Sequence, residues 1–389
     1  MVIEFNSTLQ WHISEGDALT SAGKQQLFFK SLDRYKIDVS TSPASQRKTK
    51  TEFDAKLETA VKSMPVVIPS DTVVMEAAFY LLRQGLLNIP DVGTINVKQA
   101  RAFLWNAAWL QEYMSAEWRA KGMLQGCSEK PRQFEHFCLA IIGPGGTGKT
   151  AVLKITEALT IFFTGKDTVQ KLAPSNAAAR ILGGDTIHAL CRLPFGKAKL
   201  TSKKGRLGPI ALRTHRKIWE NAVSVYMDEI SMVSADQFLQ SDVRLRQAKM
   251  KPEMPFGGMA LNVCGDFLQL PPVNKDGNRR SLATATVESE EENDDVNVDD
   301  ASARQQRRAG KAESMQGLRL WRNIQRVVCL SINVRAPGIL SRLQSEMREG
   351  RISDAMWDLC MSRVIVPRDA RLTTPGSPFV EHNVHFLVH

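Results

Sequence analysis

The chain has 389 residues, 43% of them hydrophobic and 24% charged, which excludes a wholly disordered protein and predicts at least one sizeable core. No apolar run reaches the length of a membrane span, so we expect no membrane partner. The net charge is +10 although residues 288–300 hold eight acids and no Lys or Arg. The strongly basic remainder favours a polyanionic partner, with a generally basic surface as the alternative.

The six cysteines are scattered along the chain and form no C-x-x-C pair. This spacing disfavours a zinc site or a disulfide framework and favours a reducing, intracellular compartment. The sequence leaves the oligomeric state open.

Residues 1–90 carry no motif, and we assign them to an N-terminal extension of unknown role. From residue 91 onwards, short apolar strands alternate with helical segments. This alternation predicts an α/β fold in which a parallel sheet has helices on both faces. The predicted strands are 138–142, 169–173, 223–227 and 260–264.

The first predicted strand leads into a loop that fits the phosphate-binding pattern G-x-x-x-x-G-K-[ST]. Glycines let such a loop turn tightly and point its N–H groups at phosphate oxygens. Lys149 supplies a charge for the β- and γ-phosphates, and the Thr150 hydroxyl is a ligand for Mg²⁺. A helix over 151–163 follows, so the sequence predicts a P-loop NTPase with the anion at a helix N-terminus. The predicted ATP-binding loop is Gly143, Pro144, Gly145, Gly146, Thr147, Gly148, Lys149 and Thr150.

Two acids end the third predicted strand. In a P-loop fold, the first acid, Asp228, holds Mg²⁺ through water, and the second, Glu229, polarises the attacking water. Alone, an apolar run ending in Asp-Glu is common. Together with the glycine loop it indicates nucleotide hydrolysis, with ATP and Mg²⁺ as the cofactors.

A third polar group follows the fourth predicted strand, in the segment Gly-Asp-Phe-Leu-Gln-Leu-Pro-Pro-Val at 265–273. Ligands of open α/β sheets bind at the carboxyl edge of the strands, so Gln269 is a candidate sensor of the γ-phosphate. The alternative is a turn that ends at proline and is capped by Asp266. Beyond it, the periodicity disappears between residues 275 and 313, which predicts a disordered acidic insertion.

Three segments together resemble the PIF family of superfamily-one DNA helicases. They are Asp-Glu-Ile-Ser-Met-Val at 228–233, the segment at 265–273, and Ala-Pro-Ser-Asn followed by Gly-Gly-Asp-Thr-Ile-His within 173–188. The resemblance covers about residues 94–365. It implies a RecA-like motor domain over 91–325, the beginning of a second motor domain over 326–389, and ATP-driven movement 5′ to 3′ on single-stranded DNA. Partners would be single-stranded DNA and duplex junctions.

The resemblance also implies roles for single residues. Gln99, in Asn-Val-Lys-Gln at 96–99, would bind the adenine edge, and Arg335 would reach the γ-phosphate. The family usually has Phe-Arg-Gln where this chain has Val-Arg-Ala at 334–336, and Asn176 stands where the family has Gly. The DNA-binding candidates are Pro174, Ser175, Thr186 and His188. Trp219 is expected in the core, and Arg244 and Arg246 are expected to be structural or to contact the DNA backbone.

The chain ends at His389 without the remaining second-domain motifs of the family. We therefore expect a truncated helicase that binds Mg-ATP and hydrolyses it poorly. The rival hypothesis is an ATP- and DNA-binding protein with little or no motor activity. By resemblance, the cellular roles would be DNA repair, recombination and telomere maintenance, and a eukaryotic protein would be nuclear or mitochondrial.

Overall fold

The computed structural model describes residues 43–362, apart from residues 66 and 91 and the segments 125–135, 195–204, 274–279, 284–300 and 336–337. The larger of two compact units spans Phe53–Arg335. The smaller unit includes two short helices that follow residue 337. Within the described residues, no helix combines the length and apolarity needed to cross a membrane.

Six strands and eleven α-helices make up the described chain. The strands are β1 Cys138–Ile142, β2 Val169–Ala173, β3 Asp185–Thr186, β4 Ser224–Met227, β5 Ala260–Gly265 and β6 Arg326–Cys329. The helices are α1 Pro43–Lys62, α2 Val73–Arg83, α3 Val97–Ala120, α4 Lys149–Thr164, α5 Asn176–Leu182, α6 Ile187–Leu190, α7 Pro209–Trp219, α8 Ala235–Lys249, α9 Ala301–Arg322, α10 Ile339–Arg348 and α11 Asp354–Ser362. Helices α10 and α11 belong to the smaller unit.

All strand pairs of the sheet are parallel, and the strand order is β3-β2-β4-β5-β1-β6. Every residue of β1, β4 and β5 is buried, which explains their continuous apolar sequences. The four strands predicted from the apolar runs are confirmed to within one residue at each end.

Helices cover both faces of the sheet, as the α/β fold predicted. Leu139 and Ile141 of β1 face a core that includes residues of α2, α3 and α4. Cys138, Ala140 and Ile142 face a second core that includes residues of α7, α8 and α9. The period of two along the strand thus divides one apolar run between two cores.

Helix α3 is joined to the sheet by a buried pair of amides. Asn106 Nδ2 donates to Asn262 Oδ1 at 2.9 Å, and Asn262 Nδ2 donates to Asn106 Oδ1 at 2.9 Å. Both side chains are buried, so their polar atoms need partners within the protein, and Asn106 Nδ2 also donates to the Ala102 carbonyl at 3.0 Å. The pair fixes the register of α3 against β5.

Helix α9 begins inside the segment that the sequence predicts to be a disordered insertion, so that prediction is wrong at its C-terminal end. Residues 301–313 were assigned to a disordered segment, but they form the first half of this helix. Ser281 also forms a β-bridge with Ser234, and Leu282 is buried. The composition was misleading because packing of the later turns, around Leu318 and Trp321, stabilises a helix whose sequence has few apolar residues.

Two predicted domain boundaries also differ from the structure. Helix α2 buries Val74 and Leu81 in the same core as α3, so residues 53–90 are part of the larger unit. Strand β6 pairs with β1 at the edge of the six-stranded sheet, so residues 326–335 do not begin a second domain. The compact units divide after Arg335 instead.

Candidate functional site

The polar groups predicted to act on a nucleotide follow strands of one parallel sheet. The glycine loop follows β1, Asp228 and Glu229 follow β4, and Gln269 follows β5. The carboxyl ends of parallel strands lie at the same edge, which is where ligands of open α/β sheets bind. The predicted residues are therefore brought to one edge.

The glycine loop has the backbone that its sequence predicts. Gly146 and Gly148 both have φ of +82°, a conformation that L-residues with side chains rarely adopt. Helix α4 begins at Lys149, immediately after the left-handed Gly148. The loop therefore ends at a helix N-terminus, where unpaired N–H groups favour an anion.

Two carbonyls of this loop have partners outside it. The buried Gln99 donates from Nε2 to the Thr147 carbonyl at 2.8 Å. The Val334 N–H donates to the Gly146 carbonyl at 2.9 Å. The structure thus gives Gln99, which the resemblance assigned to the adenine edge, a contact with the phosphate loop itself.

Lys149 lies within the curl of the loop. Its Nζ donates to the Gly143 carbonyl at 2.6 Å and to the Pro144 carbonyl at 2.9 Å. Thr147 Oγ1 also donates to the Pro144 carbonyl, at 2.8 Å. Both partners of the ammonium are neutral carbonyls, so a phosphate oxygen could exchange for them.

The two acids after β4 are electrostatically disfavoured as anions. Burial raises the pKa of Asp228, while the Glu229 N–H, which donates to Asp228 Oδ1 at 2.9 Å, and the charge of Lys149 lower it. Burial also raises the pKa of Glu229, and the charges of Asp228 and Asp266 raise it further against the opposing effect of Lys149. Glu229 has φ of +52°, a strained backbone of the kind that clusters at functional sites.

Gln269 lies beside the glycine loop. Its Nε2 donates to Asp266 Oδ2 at 3.3 Å, and a β-carbon added at Gly145 would lie 4.0 Å from that nitrogen. Asp266 also accepts from the Leu268 N–H at 3.2 Å, so both alternatives of the sequence analysis are present together: a turn capped by Asp266 and an amide near the phosphate loop.

Arg335 also reaches the loop, from the segment that follows β6. A β-carbon added at Gly146 would lie 3.2 Å from Arg335 Cβ and 2.5 Å from Asn333 Oδ1. Asn333 Oδ1 accepts from the Arg335 N–H at 3.0 Å. The exposed Arg335 side chain therefore starts next to the predicted phosphate-binding loop.

The predicted DNA-binding residues lie at the carboxyl ends of β2 and β3. Ser175 caps α5 by accepting from the Ala178 N–H at 3.2 Å, and Thr186 caps α6 by accepting from the Ala189 N–H at 3.2 Å. Pro174 precedes the first cap, and His188 lies 3.5 Å from the Gln237 amide. Both hydroxyls thus have a structural task, and contact with DNA stays a prediction.

The remaining residues singled out in the sequence lie away from this edge. Trp219 is fully buried, as expected of a core residue. Arg244 is buried and donates to the carbonyl of Gly205 and to Gln247, and Arg246 binds Asp242 at 2.7 Å. Both arginines thus have structural contacts, and they line a cavity of about 770 Å³ beside α7 and α8. Contact with the DNA backbone stays a prediction.

The residues at the carboxyl edge fit a magnesium nucleotide. The loop offers N–H groups and an ammonium to phosphates, and Gln99 closes one side of it. Burial raises the pKa of both Asp228 and Glu229 despite the charge of Lys149, and a divalent cation would favour their ionised forms. Thr150 and Asp228 could hold Mg²⁺, which prefers oxygen ligands and retains several waters.

Sequence reasoning missed the contribution of Asn333 and Val334. Neither residue type carries a recognisable motif, and the segment lies far from the glycine loop in the chain. The only sequence signal was the neighbouring Arg335. Their role depends on β6 pairing with β1, which brings residues 330–335 alongside the loop.

The chain is similar to known helicases over part of its length. Residues 129–319 match the family model of PIF1-like helicases. The chain is 39% identical over 140 residues to the ATP-dependent DNA helicase PIF1 of Saccharomyces cerevisiae, covering 35% of this chain and 16% of that protein. It is 41% identical over 135 residues to the human protein of the same name, covering 34% of this chain and 20% of that protein. The chain thus spans about a fifth of the length of the curated relatives that it matches.

A similar solved structure is that of a Pif1 helicase from Bacteroides in complex with ADP-AlF3 and ssDNA. It has 23% sequence identity and a TM-score of 0.44, and the match covers 61% of this chain and 49% of that chain. The Pif1 helicase from Candida albicans has 23% identity and a TM-score of 0.41, with 61% and 46% of the two chains covered.

Proposed function

We propose that this chain, whose residues 129–319 match the family model of PIF1-like helicases, is the ATP-hydrolysing motor of a DNA helicase. The proposal rests on the meeting of the glycine loop, the Asp228–Glu229 pair and Gln269 at one edge of the sheet. A loop for phosphate, a carboxylate for the metal and a second carboxylate for water are the parts that P-loop hydrolysis requires.

Each residue has a role that its surroundings favour. The loop N–H groups and Lys149 would bind the phosphates of ATP, and Thr150 and Asp228 would hold Mg²⁺. The metal would neutralise charge that develops on the phosphates. Glu229 accepts a proton from the attacking water, and its raised pKa makes it a stronger base than an exposed glutamate.

Gln269 and Arg335 act on the terminal phosphate. Both lie against the glycine loop, at Gly145 and Gly146 respectively. An amide and a guanidinium at these places would distinguish ATP from ADP, since only ATP presents a γ-phosphate. An arginine in this role accelerates phosphoryl transfer by about 10³-fold or more in other enzymes.

DNA would bind at the same edge, next to the nucleotide. Pro174 and Ser175 follow β2, Thr186 ends β3, and His188 lies two residues further on. These two strands extend the sheet on the far side of β4. The strongly basic composition favours binding to a phosphate backbone, and binding should weaken as salt is raised. The family resemblance adds movement from 5′ to 3′ on single-stranded DNA, which unwinding of forks with only a 5′ or only a 3′ tail would test.

The first experiment measures ATP hydrolysis with and without single-stranded DNA. DNA should stimulate turnover, and Lys149→Ala should lower it by about 100-fold or more, as expected for loss of a charged phosphate ligand. Lys166→Ala, which changes an exposed lysine just after α4, is the matched control and should leave turnover unchanged.

Two outcomes would count against the motor. Nucleotide binding that depends on Lys149 without any hydrolysis would leave an ATP-binding protein and remove the proposed reaction. Hydrolysis that DNA does not stimulate would remove the coupling to DNA.

A further inference from the structure

Three consecutive residues after β6 contact the phosphate loop, and we name residues 333–335 the clasp. The Val334 N–H donates to the Gly146 carbonyl at 2.9 Å. Asn333 Oδ1 accepts from the Arg335 N–H at 3.0 Å, which closes the clasp into a tight turn. The same oxygen would lie 2.5 Å from a β-carbon added at Gly146, so Asn333 contacts the loop directly.

The hydrogen bonds to the loop determine which way its peptides face. In a trans peptide, the C=O and the following N–H point in opposite directions. Because Val334 binds the Gly146 carbonyl, the Thr147 N–H points away from the clasp. Because Gln99 binds the Thr147 carbonyl, the Gly148 N–H likewise points away from Gln99. Two amides that can bind phosphate are thus oriented before any nucleotide arrives.

Close packing against the clasp gives the loop glycines a second purpose. A β-carbon at Gly148 would overlap Gln99 Nε2 and lie 3.5 Å from Val334 Cγ2. At Gly146 it would collide with Asn333. The two glycines therefore leave room for the clasp and for Gln99, in addition to letting the loop approach a phosphate.

We propose that the clasp presets the phosphate loop for nucleotide, with Asn333 as the positioning residue. The proposal rests on the proposed binding of ATP at this loop and adds a determinant of that binding. Asn333 fixes the turn that places the Val334 N–H on the Gly146 carbonyl. The same turn places Arg335 beside Gly146. The Asn333 side chain therefore determines both the orientation of the loop N–H groups and the position from which the Arg335 side chain extends.

The experiment measures the affinity for Mg-ADP by calorimetry, with AMP as a competitor. ADP lacks the γ-phosphate, so its affinity reports the loop amides and not the reach of Arg335. Asn333→Ala should weaken ADP binding about tenfold, as expected when one charge-assisted hydrogen bond is impaired. AMP, which lacks the β-phosphate, should bind the variant as it binds the unaltered chain. A general loss of structure would instead weaken the binding of both ADP and AMP.

Two further variants separate positioning from packing. Asn333→Ser should recover most of the ADP affinity, since a serine hydroxyl can accept the same N–H two residues ahead. Ile332→Ala, which trims a neighbouring side chain that is 40% exposed, should have no effect. ADP affinity of Asn333→Ala equal to that of the unaltered chain would overturn the proposal.

Hydrogen exchange on the unaltered chain tests the same idea without a substitution. Coupling between two sites is reciprocal, so ADP should slow exchange of the Val334 N–H. Unchanged exchange at residues 330–335 on ADP binding would contradict the clasp, even if Asn333→Ala fails to fold. If the unaltered chain shows no Lys149-dependent ADP binding, the proposed function fails and the clasp fails with it.

Discussion

The imidazole of His215 is fully buried, and its environment favours the neutral form. Its Nε2 lies 3.2 Å from the Arg244 carbonyl, so this nitrogen carries the proton, and the buried Nδ1 has no hydrogen-bond partner among the residues that the structure describes. Burial, followed by the charges of Arg244 and Arg192, lowers the pKa of His215 to about 4, although the hydrogen bond to Arg244 opposes this. The folded chain therefore resists protonation that the unfolded chain accepts.

This residue should make stability depend on pH. Between pH 6.5 and about 4 the unfolded chain binds a proton that the folded chain does not, so stability is complete above pH 6.5 and falls with pH. One such group contributes about 2–3 kcal/mol over that interval. His215→Gln cannot titrate and retains a donor for the Arg244 carbonyl, so its melting temperature should fall less between pH 7 and pH 4.5.

His136 provides the comparison, because burial also lowers its pKa to about 4. His136→Gln should reduce the remaining pH dependence in the same direction. An unchanged pH profile for His215→Gln would show that its proton does not control stability.

Sequence patterns identified the candidate residues that carry a motif, and they missed the residues that are defined only by tertiary contacts. Lys149, Asp228 and Glu229 stand in patterns whose chemistry requires them. Asn333 stands in no pattern, and its contact with Gly146 exists only because two distant strands pair. The contact of Gln99 with the Thr147 carbonyl was likewise outside the reach of sequence patterns.

Helix α9 approaches α8 closely at a glycine. A β-carbon added at Gly317 would overlap the Ala235 carbonyl oxygen and its carbon. Near this approach, the Trp321 ring lies edge-on to Phe238, with the ring centroids 5.8 Å apart, and to Phe267, with the centroids 5.5 Å apart. The small residue thus lets large neighbours interlock.

Gly317→Ala should therefore invert the usual effect of this substitution in a helix. Elsewhere, Gly→Ala in a helix stabilises by up to about 1 kcal/mol. Here the added methyl should force the helices apart and destabilise by about 1–3 kcal/mol, as in other overpacked sites. Urea denaturation measures the difference. Gln316→Ala on the exposed side of the same turn is the control, and a more stable Gly317→Ala would refute the close packing.

Elements were predicted where local pattern and tertiary structure agree. The strands are buried on both faces, so their apolar runs stand out in the sequence. The start of α9 was missed because its first turns contain few apolar residues and its stability comes from packing further along. Strand β6 is short and only partly buried, and its pairing with β1 joins segments distant in the chain.

The larger unit should be stable by itself, because both cores lie within it. One core runs from Leu57 to Leu330 and the other from Cys138 to Ile324. A fragment of residues 53–335 should therefore melt cooperatively and bind Mg-ADP as the full chain does. Circular dichroism and calorimetry would show this.

A second fragment that stops at residue 325 tests where the unit ends. That position is the boundary predicted from the sequence, and a chain ending there lacks β6 and the clasp. It should lose stability and most of its ADP affinity. Equal behaviour of the two fragments would restore the predicted boundary.

The pairing of β6 with β1 also has a consequence for biosynthesis. Leu139 pairs with Arg326, so the strand that carries the phosphate loop gains its second neighbour only after most of the unit has been translated. Long-range pairing of this kind is slow to form. During translation, the complete glycine motif would leave the ribosome long before β6 is available to support it. The capacity to bind nucleotide would therefore appear late and abruptly.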